Sequence, residues 1–308
     1  LGGLPTLETL NLGWNRVRGN LDTAVHALSR LSHLRELLLY KNSLTGTIPE
    51  ALGDLGQLER LWLHENELVG VLPDSLGRLE YLRDLRLNKN RLQGPIPCAL
   101  AQCRRLEVLH LQKNTLAGEI PSALFTRCQR LREVKLGDNQ LEGYISCEIG
   151  SLDRLETFEA QRNHLSWIIP SELSKCVSLT RLDLSRNALR GPVPPQMCML
   201  TQLEHLSIAN NIKIAGPAPE QAVLAMPRLA FLDLSGTSLT GLVELKRSIS
   251  NAAPPDNPMT ERPTLRMNTE QQQRVRMRLI VDAIPSSRSH KSNRVRVPPE
   301  ATKTNRLP

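Results

Sequence analysis

The sequence predicts an α/β repeat solenoid, in which one short strand per coil stacks into a long parallel sheet, followed by a disordered tail. Three observations predict it: a fixed period, an alternation of leucines within each period, and a change of composition near residue 242. Aligning the chain on Leu-x-x-Leu-x-Leu-x-x-Asn brings Asn15, Asn42, Asn66, Asn90, Asn114, Asn139, Asn163, Asn187 and Asn211 to one position, with Thr237 in a tenth, degenerate copy. Successive spacings are 27, 24, 24, 24, 25, 24, 24, 24 and 26 residues, a period of the size that marks stacked architectures.

The first element of each copy is the strand. In Glu36-Leu37-Leu38-Leu39-Tyr40 the two-residue alternation of an extended chain sends Leu37 and Leu39 inward and the other three outward. The asparagine that follows carries both a donor and an acceptor, and in a buried turn it can satisfy backbone groups of its own coil and of the adjacent one. Next, Leu44-Thr45-Gly46-Thr47-Ile48-Pro49 and Leu92-Gln93-Gly94-Pro95-Ile96-Pro97 supply a glycine turn and a proline that halts regular helix. Leu52, Leu55 and Leu100 then return inward. A single coil cannot bury its own leucines, so stability is a sum over neighbouring coils. Only 3% of residues are aromatic against 40% hydrophobic, so leucine and isoleucine must build the core.

The Leu-x-Gly-x-Ile-Pro segment, read in Leu44 to Pro49, Leu68 to Pro73, Leu92 to Pro97, Leu116 to Pro121 and Leu189 to Pro194, resembles the plant-type class of leucine-rich repeats. That class includes receptor-like kinases, receptor-like proteins, inhibitors of cell-wall-degrading enzymes, and algal and protist relatives. The resemblance covers residues 1–241 and implies a right-handed leucine-rich-repeat solenoid whose concave or lateral surface holds a peptide, a small signal or a protein. It does not choose among them.

Some copies depart from the pattern. In the first, Asn20-Leu21-Asp22-Thr23 replaces the Ile-Pro segment, and a helix is expected from Thr23 to about Leu31 with Asp22 as its N-cap. Ser146 stands where proline is expected, and Trp167 takes a glycine position. The preferred reading of Trp167 is that it covers a gap on the lateral face, against a binding contact. The opening Leu1-Gly2-Gly3-Leu4-Pro5-Thr6-Leu7 matches the closing half of a repeat, so the record is expected to begin inside a longer array.

Function is sought on the outward strand positions, which are expected to have no packing role. Their central column reads Asn11, Leu38, Trp62, Arg86, His110, Lys135, Glu159, Asp183, Ser207 and Asp233, running from apolar to basic to acidic. The neighbouring column adds Tyr40, His64, Asn88, Gln112 and Gln161. Aromatic and arginine side chains are enriched at binding hot spots. The candidate partner-binding residues are therefore Leu38, Tyr40, Trp62, His64, Arg86, Asn88, His110, Gln112 and Lys135, centred on Tyr40, Trp62, Arg86 and His110. The alternative is an ordinary solvated sheet.

No catalytic or cofactor chemistry is expected. The chain has no phosphate-binding glycine loop, no kinase signature, no Gly-x-Ser-x-Gly elbow and no paired histidine ligands. His64 and His110 are read as solvated imidazoles rather than bases. No Cys-x-x-Cys or zinc-like spacing occurs, so no metal is expected. Cys103, Cys128 and Cys176 share a position three residues before a strand-leading leucine and read as buried free thiols. A Cys103 to Cys128 disulfide is geometrically open across adjacent coils but not the preferred reading. None of the 18 asparagines begins an Asn-x-Ser/Thr sequon, which leans towards an intracellular setting. No stretch approaches the roughly 18 to 20 apolar residues of a membrane-spanning helix.

The domain reading is a solenoid over residues 1–241, a short capping segment over 242–250, where Leu242, Leu245 and Ile249 have helical spacing, and a basic, proline-rich tail over 251–308. Residues 242–308 hold 13 Lys and Arg against 6 Asp and Glu, leaving 26 against 25 for residues 1–241. Arg274-Val275-Arg276-Met277-Arg278-Leu279-Ile280-Val281 alternates basic and apolar residues and is a candidate for ordering on a partner. The tail lacks the aromatic residues that stack bases, so nucleic acid is the least favoured partner, behind an anionic membrane or acidic protein, and a solubilising or linker segment is the preferred reading. Two principal functions remain: a monomeric scaffold binding a protein or peptide on the concave face, and the ligand-binding part of a receptor or inhibitor. An adaptor working through the tail is the third.

Overall fold

In a computed structural model, the chain is described over residues 6–28 and 30–240 and as the strands Val243–Arg247, Thr264–Arg266 and Met277–Val281. Ten strands spaced by the sequence period form the concave face: Thr9–Asn11, Glu36–Leu38, Arg60–Trp62, Asp84–Arg86, Val108–His110, Glu133–Lys135, Thr157–Glu159, Arg181–Asp183, His205–Ser207 and Phe231–Asp233. We number the coils 1 to 10 by these strands. Each pairs in parallel with its sequence neighbours, and Thr264–Arg266 continues the sheet as an eleventh strand beside coil 10. The pairing register stacks Leu10, Leu37, Leu61, Leu85, Leu109, Val134, Phe158, Leu182, Leu206 and Leu232 behind the sheet. None of these ten is more than 8% exposed, as the leucine alternation requires.

The asparagine column forms the expected ladder. Asn66 Nδ2 donates to the carbonyls of Leu39 and Leu63, each at 3.0 Å, and its Oδ1 accepts from the Leu44 amide. Asn114 repeats the pattern with Leu87, Leu111 and Leu92. Each rung thus ties three backbone groups in two coils. In coil 10 the Thr237 hydroxyl donates to Leu234 at 2.8 Å. The residue before each rung is left-handed, with φ between 51° and 60° at Lys41, Glu65, Lys89, Lys113, Asp138, Arg162 and Arg186. Apart from Asp138, these Lys, Arg and Glu side chains do not favour that conformation, so the turn is imposed by the rung beside it.

Proline at the far turn starts a short 3-10 helix in five coils, at Pro49, Pro73, Pro97, Pro170 and Pro194. Ser146 adopts φ of −64°, close to proline's value, and its hydroxyl also accepts from the Glu148 amide. The serine therefore supplies the proline geometry with a cap added.

Two local expectations are corrected. The first helix is Leu21–Leu28, not Thr23 to Leu31. Asn20 Oδ1 accepts the Asp22 amide at 2.8 Å, while the Asp22 carboxylate reaches across to the Thr47 hydroxyl at 2.6 Å. Asn20 therefore starts the helix, and Asp22 ties it to coil 2. After the array, Val243–Arg247 is a strand paired in parallel with Met277–Val281 instead of a helix, in keeping with the two-residue alternation of Val243 and Leu245 with Glu244 and Lys246. The expected tail disorder falls largely on residues 248–263, 267–276 and 282–308, which lie outside the described residues. Among the described residues, no helix is long and apolar enough to cross a membrane.

Candidate functional site on the concave face

The sheet register places Asn11, Leu38, Trp62, Arg86, His110, Lys135, Glu159, Asp183, Ser207 and Asp233 in one row of partners. Parallel pairing without a slip lets one side chain per coil meet the next at the spacing of neighbouring strands, about 4.8 Å.

Coils 2 to 4 carry a ring cluster. Tyr40 and Trp62 meet edge to face at 5.7 Å between centroids, and His64 stacks on Tyr40 at 5.0 Å with 8° between planes. Trp62 and His64 close the triangle at 6.1 Å. The Arg86 guanidinium caps the other side of the indole, 4.6 Å from its centroid, while its Nε donates to Asp84 Oδ1 at 2.8 Å. Gly13 makes room for the cluster: a Cβ there would lie 2.3 Å from the Tyr40 ring.

These contacts alter the reading of the histidines. His64 is not a solvated imidazole. Burial, with help from the charges of Arg86, His110 and Lys41, overcomes the opposing pull of Glu65 and pushes its pKa down to about 4. Its Nδ1 is buried without a hydrogen-bond partner among the described residues, as are Trp62 Nε1 and Gln112 Oε1. His110 is 7% exposed and held at 2.9 Å to Glu133 Oε2; burial moves its pKa below the usual imidazole value even against that carboxylate. Glu133 also lies 3.6 Å from Lys135 Nζ. Burial disfavours ionisation of Glu133, but His110, Lys135 and Arg86 outweigh it and lower its pKa.

The nine candidate residues therefore share one continuous face, but not as freely exposed side chains. Leu38, Asn88 and His110 are buried, so the outward positions do have a packing role. The expected basic stretch is partly neutralised, since Asp84 partners Arg86 and Glu133 partners both His110 and Lys135. Asp84 and Glu133 were legible in the sequence. Each stands two residues before a chosen position, on the same face of its strand. Towards the other end, Arg181 pairs with Glu159, Asp183 and Asp233 each accept from a serine hydroxyl at 2.7 Å, and His205 stacks on Phe231 at 4.1 Å. Among the described residues, no group of three or more His, Cys, Asp or Glu is placed to hold a metal.

On the lateral face Trp167 is 54% exposed, with φ of 72° and the Arg190 guanidinium 4.3 Å over its ring. The indole is thus half-exposed on the lateral face, with a cation over it. All six cysteines are free, with Cys103, Cys128 and Cys176 buried.

Comparison with known proteins agrees with this architecture. Family profiles described as leucine-rich repeat match residues 32–92, 178–200 and 3–20. No curated protein matches by sequence. Among solved structures, a TDR receptor is 29% identical with a TM-score of 0.73, the match covering 77% of this chain and 40% of that one. The leucine-rich-repeat ectodomain of the Arabidopsis receptor kinase HAESA, in complex with an extended IDA peptide hormone, is 27% identical with a TM-score of 0.62, over 79% of this chain and 48% of that one. A plant ice-binding protein is 25% identical with a TM-score of 0.55, over 76% and 74%. The chain thus spans less than half of these two receptor structures, and the fold by itself serves more than one kind of ligand. The leucine stack, the asparagine ladder and the repeated Leu-x-Gly-x-Ile-Pro turns are those of plant-type leucine-rich repeats, and both the family profiles and the receptor ectodomain structures support that reading of this chain.

Proposed function

We propose that this chain is a protein-interaction module that holds an extended peptide or protein segment along the concave sheet, across coils 2 to 6. The observation that carries the reading is the Tyr40, Trp62, His64 and Arg86 cluster. It is a rigid apolar and cationic platform on a sheet whose strands cannot easily move, with buried polar atoms that lack partners among the described residues. Preorganised aromatic surface of this kind binds at low entropic cost. The HAESA ectodomain in its complex with the IDA peptide supports the reading by likeness of fold.

The role proposed is binding without catalysis. The carboxylates nearest the histidine and arginine of the face are already engaged in pairs, and His64, with its pKa near 4, is a weak base. The ligand-binding part of a larger receptor is the same mechanism in a longer protein, and the partial coverage of the receptor structures is what favours it.

The experiment is selection of peptides from a random display library on the whole chain, followed by affinity measurement. Selected peptides should lose at least about tenfold in affinity to Arg86→Ala with Lys135→Ala. They should keep their affinity for Arg35→Ala, which lies on the flank. Failure to enrich any peptide, or equal binding to all three proteins, would overturn the proposal.

A further inference from the structure

The flank of the solenoid, where each coil turns from its convex side into the strand, carries two charged columns that behave differently. One position after each strand-leading leucine stand Glu8, Arg35, Glu59, Arg83, Glu107, Arg132 and Glu156. Their charges alternate. Arg35 pairs with Glu8 and Glu59, Arg83 with Glu59 and Glu107, and Arg132 with Glu156. This column is self-neutralising.

The position before the same leucines holds Arg105, Arg130 and Arg154 in three successive coils, with Arg104 and Arg127 beside them. All five are exposed, and none makes an ion pair among the described residues. They surround a depression of about 840 Å³ in which Asp153 is the one carboxylate and no apolar side chain contributes to the wall. Arg105 is held by the Tyr81 ring, 4.4 Å from its guanidinium. Equivalent positions in adjacent coils lie about 5 Å apart along the stack, so three like charges are anchored in one short row. The near balance of charge over residues 1–241 conceals this segregation.

We propose that this arginine depression is a binding site for a compact, multiply phosphorylated anion, separate from the concave face. Two features select that chemistry. Every cation in the depression is an arginine and none a lysine, which suits bidentate contact with phosphate oxygens. The wall offers no apolar anchor, which a protein partner would need for the core of its interface. A small ligand of high charge density can neutralise the whole row from one position.

The test is isothermal titration of the full chain with myo-inositol hexakisphosphate at physiological salt. The wild-type chain should bind one equivalent saturably. Arg130→Gln with Arg154→Gln should weaken binding by on the order of tenfold or more, whereas Arg276→Gln with Arg278→Gln in the basic tail should leave it unchanged. Without ligand, the Arg130→Gln, Arg154→Gln protein should melt at the same temperature as wild type or higher, because removing like charges relieves repulsion. Absence of binding overturns the proposal. So does binding that follows the tail pair, or capture of long heparin chains without inositol hexakisphosphate.

Discussion

The imidazole of His64 lies flat against the phenol ring of Tyr40, 8° from parallel, and this contact makes the concave face sensitive to acid. In the unfolded chain a histidine takes up its proton near pH 6.5, whereas His64 and His205 do so only near pH 4 in the fold. Between those values the unfolded state binds more protons than the native one, so stability falls as the pH is lowered. Above pH 6.5 both states are neutral at these sites and the slope disappears. Urea midpoints should therefore fall steadily from pH 6.5 towards pH 4. The drop should be smaller in His64→Gln and smaller again with His205→Gln added. A midpoint flat over that range in the wild type would refute the assignment.

The period, the inward leucines, the ladder and the concave column were all legible in the sequence, because each follows from spacing alone. What spacing cannot show is how outward side chains lean on one another. Tyr40 reaches the space above Gly13, 27 residues away in the chain, and His64 reaches Tyr40. Residues that look solvated when read one coil at a time become half-buried when coils stack. The partners of Arg86 and His110 were legible by contrast, because the two-residue period places Asp84 and Glu133 on the same face as the residues chosen. The left-handed residues before the ladder were not legible, since Lys41 or Arg162 carries no glycine-like signal. Charge totals concealed the arginine depression because the excess positive charge of one column is offset elsewhere in the array.

Each buried rung should be expensive to remove. Asn114 serves the Leu87 and Leu111 carbonyls and the Leu92 amide; alanine would leave the Leu92 amide without its acceptor and take one of two side-chain donors from each carbonyl, which Asn90 and Asn139 would still serve. An unsatisfied buried group costs about 1 to 3 kcal/mol, so with the weakened carbonyl bonds added Asn114→Ala should lose about 2 kcal/mol or more. Asn15, exposed at the open edge, donates to Leu12 and Gly13 of its own coil. Its alanine variant should lose less than about 1 kcal/mol. Equilibrium unfolding in urea compares the two, and equal losses would mean that the rungs do not tie coils together.

The thiols should divide by location. Burial pushes Cys103 and Cys176 up to about 12 and Cys128 to about 11, so almost none of each is thiolate at pH 8. Cys98 and Cys147 are exposed. Mass-spectrometric mapping of brief iodoacetamide treatment at pH 8 should find label at Cys98 and Cys147 first, and at the buried three only in denaturant. The hydrogen bond from the Cys147 thiol to Glu148 raises its pKa, so Glu148→Gln should speed labelling there. Early modification of Cys103 or Cys128 would contradict their place in the core.

Trp167 provides the sharpest conflict between a residue and its backbone. Its φ of 72° matches the 75° to 79° of Gly94, Gly118, Gly143 and Gly191 at the equivalent turn, a conformation that costs a side chain about 1 to 2 kcal/mol. Glycine would relieve that strain, but it would give up the contact with Arg190, worth about 0.5 to 1 kcal/mol, and would free the unfolded chain by a similar amount. These effects nearly cancel, so Trp167→Gly should change stability by less than about 1 kcal/mol. Valine keeps the strain and loses the stacking, and a β-branched side chain is poorly tolerated at positive φ. Trp167→Val should therefore lose about 1 to 2 kcal/mol or more. Thermal and urea unfolding decide the matter: if glycine proves much worse than tryptophan, the indole holds the turn together, whereas near neutrality leaves an exposed ring that the fold does not require.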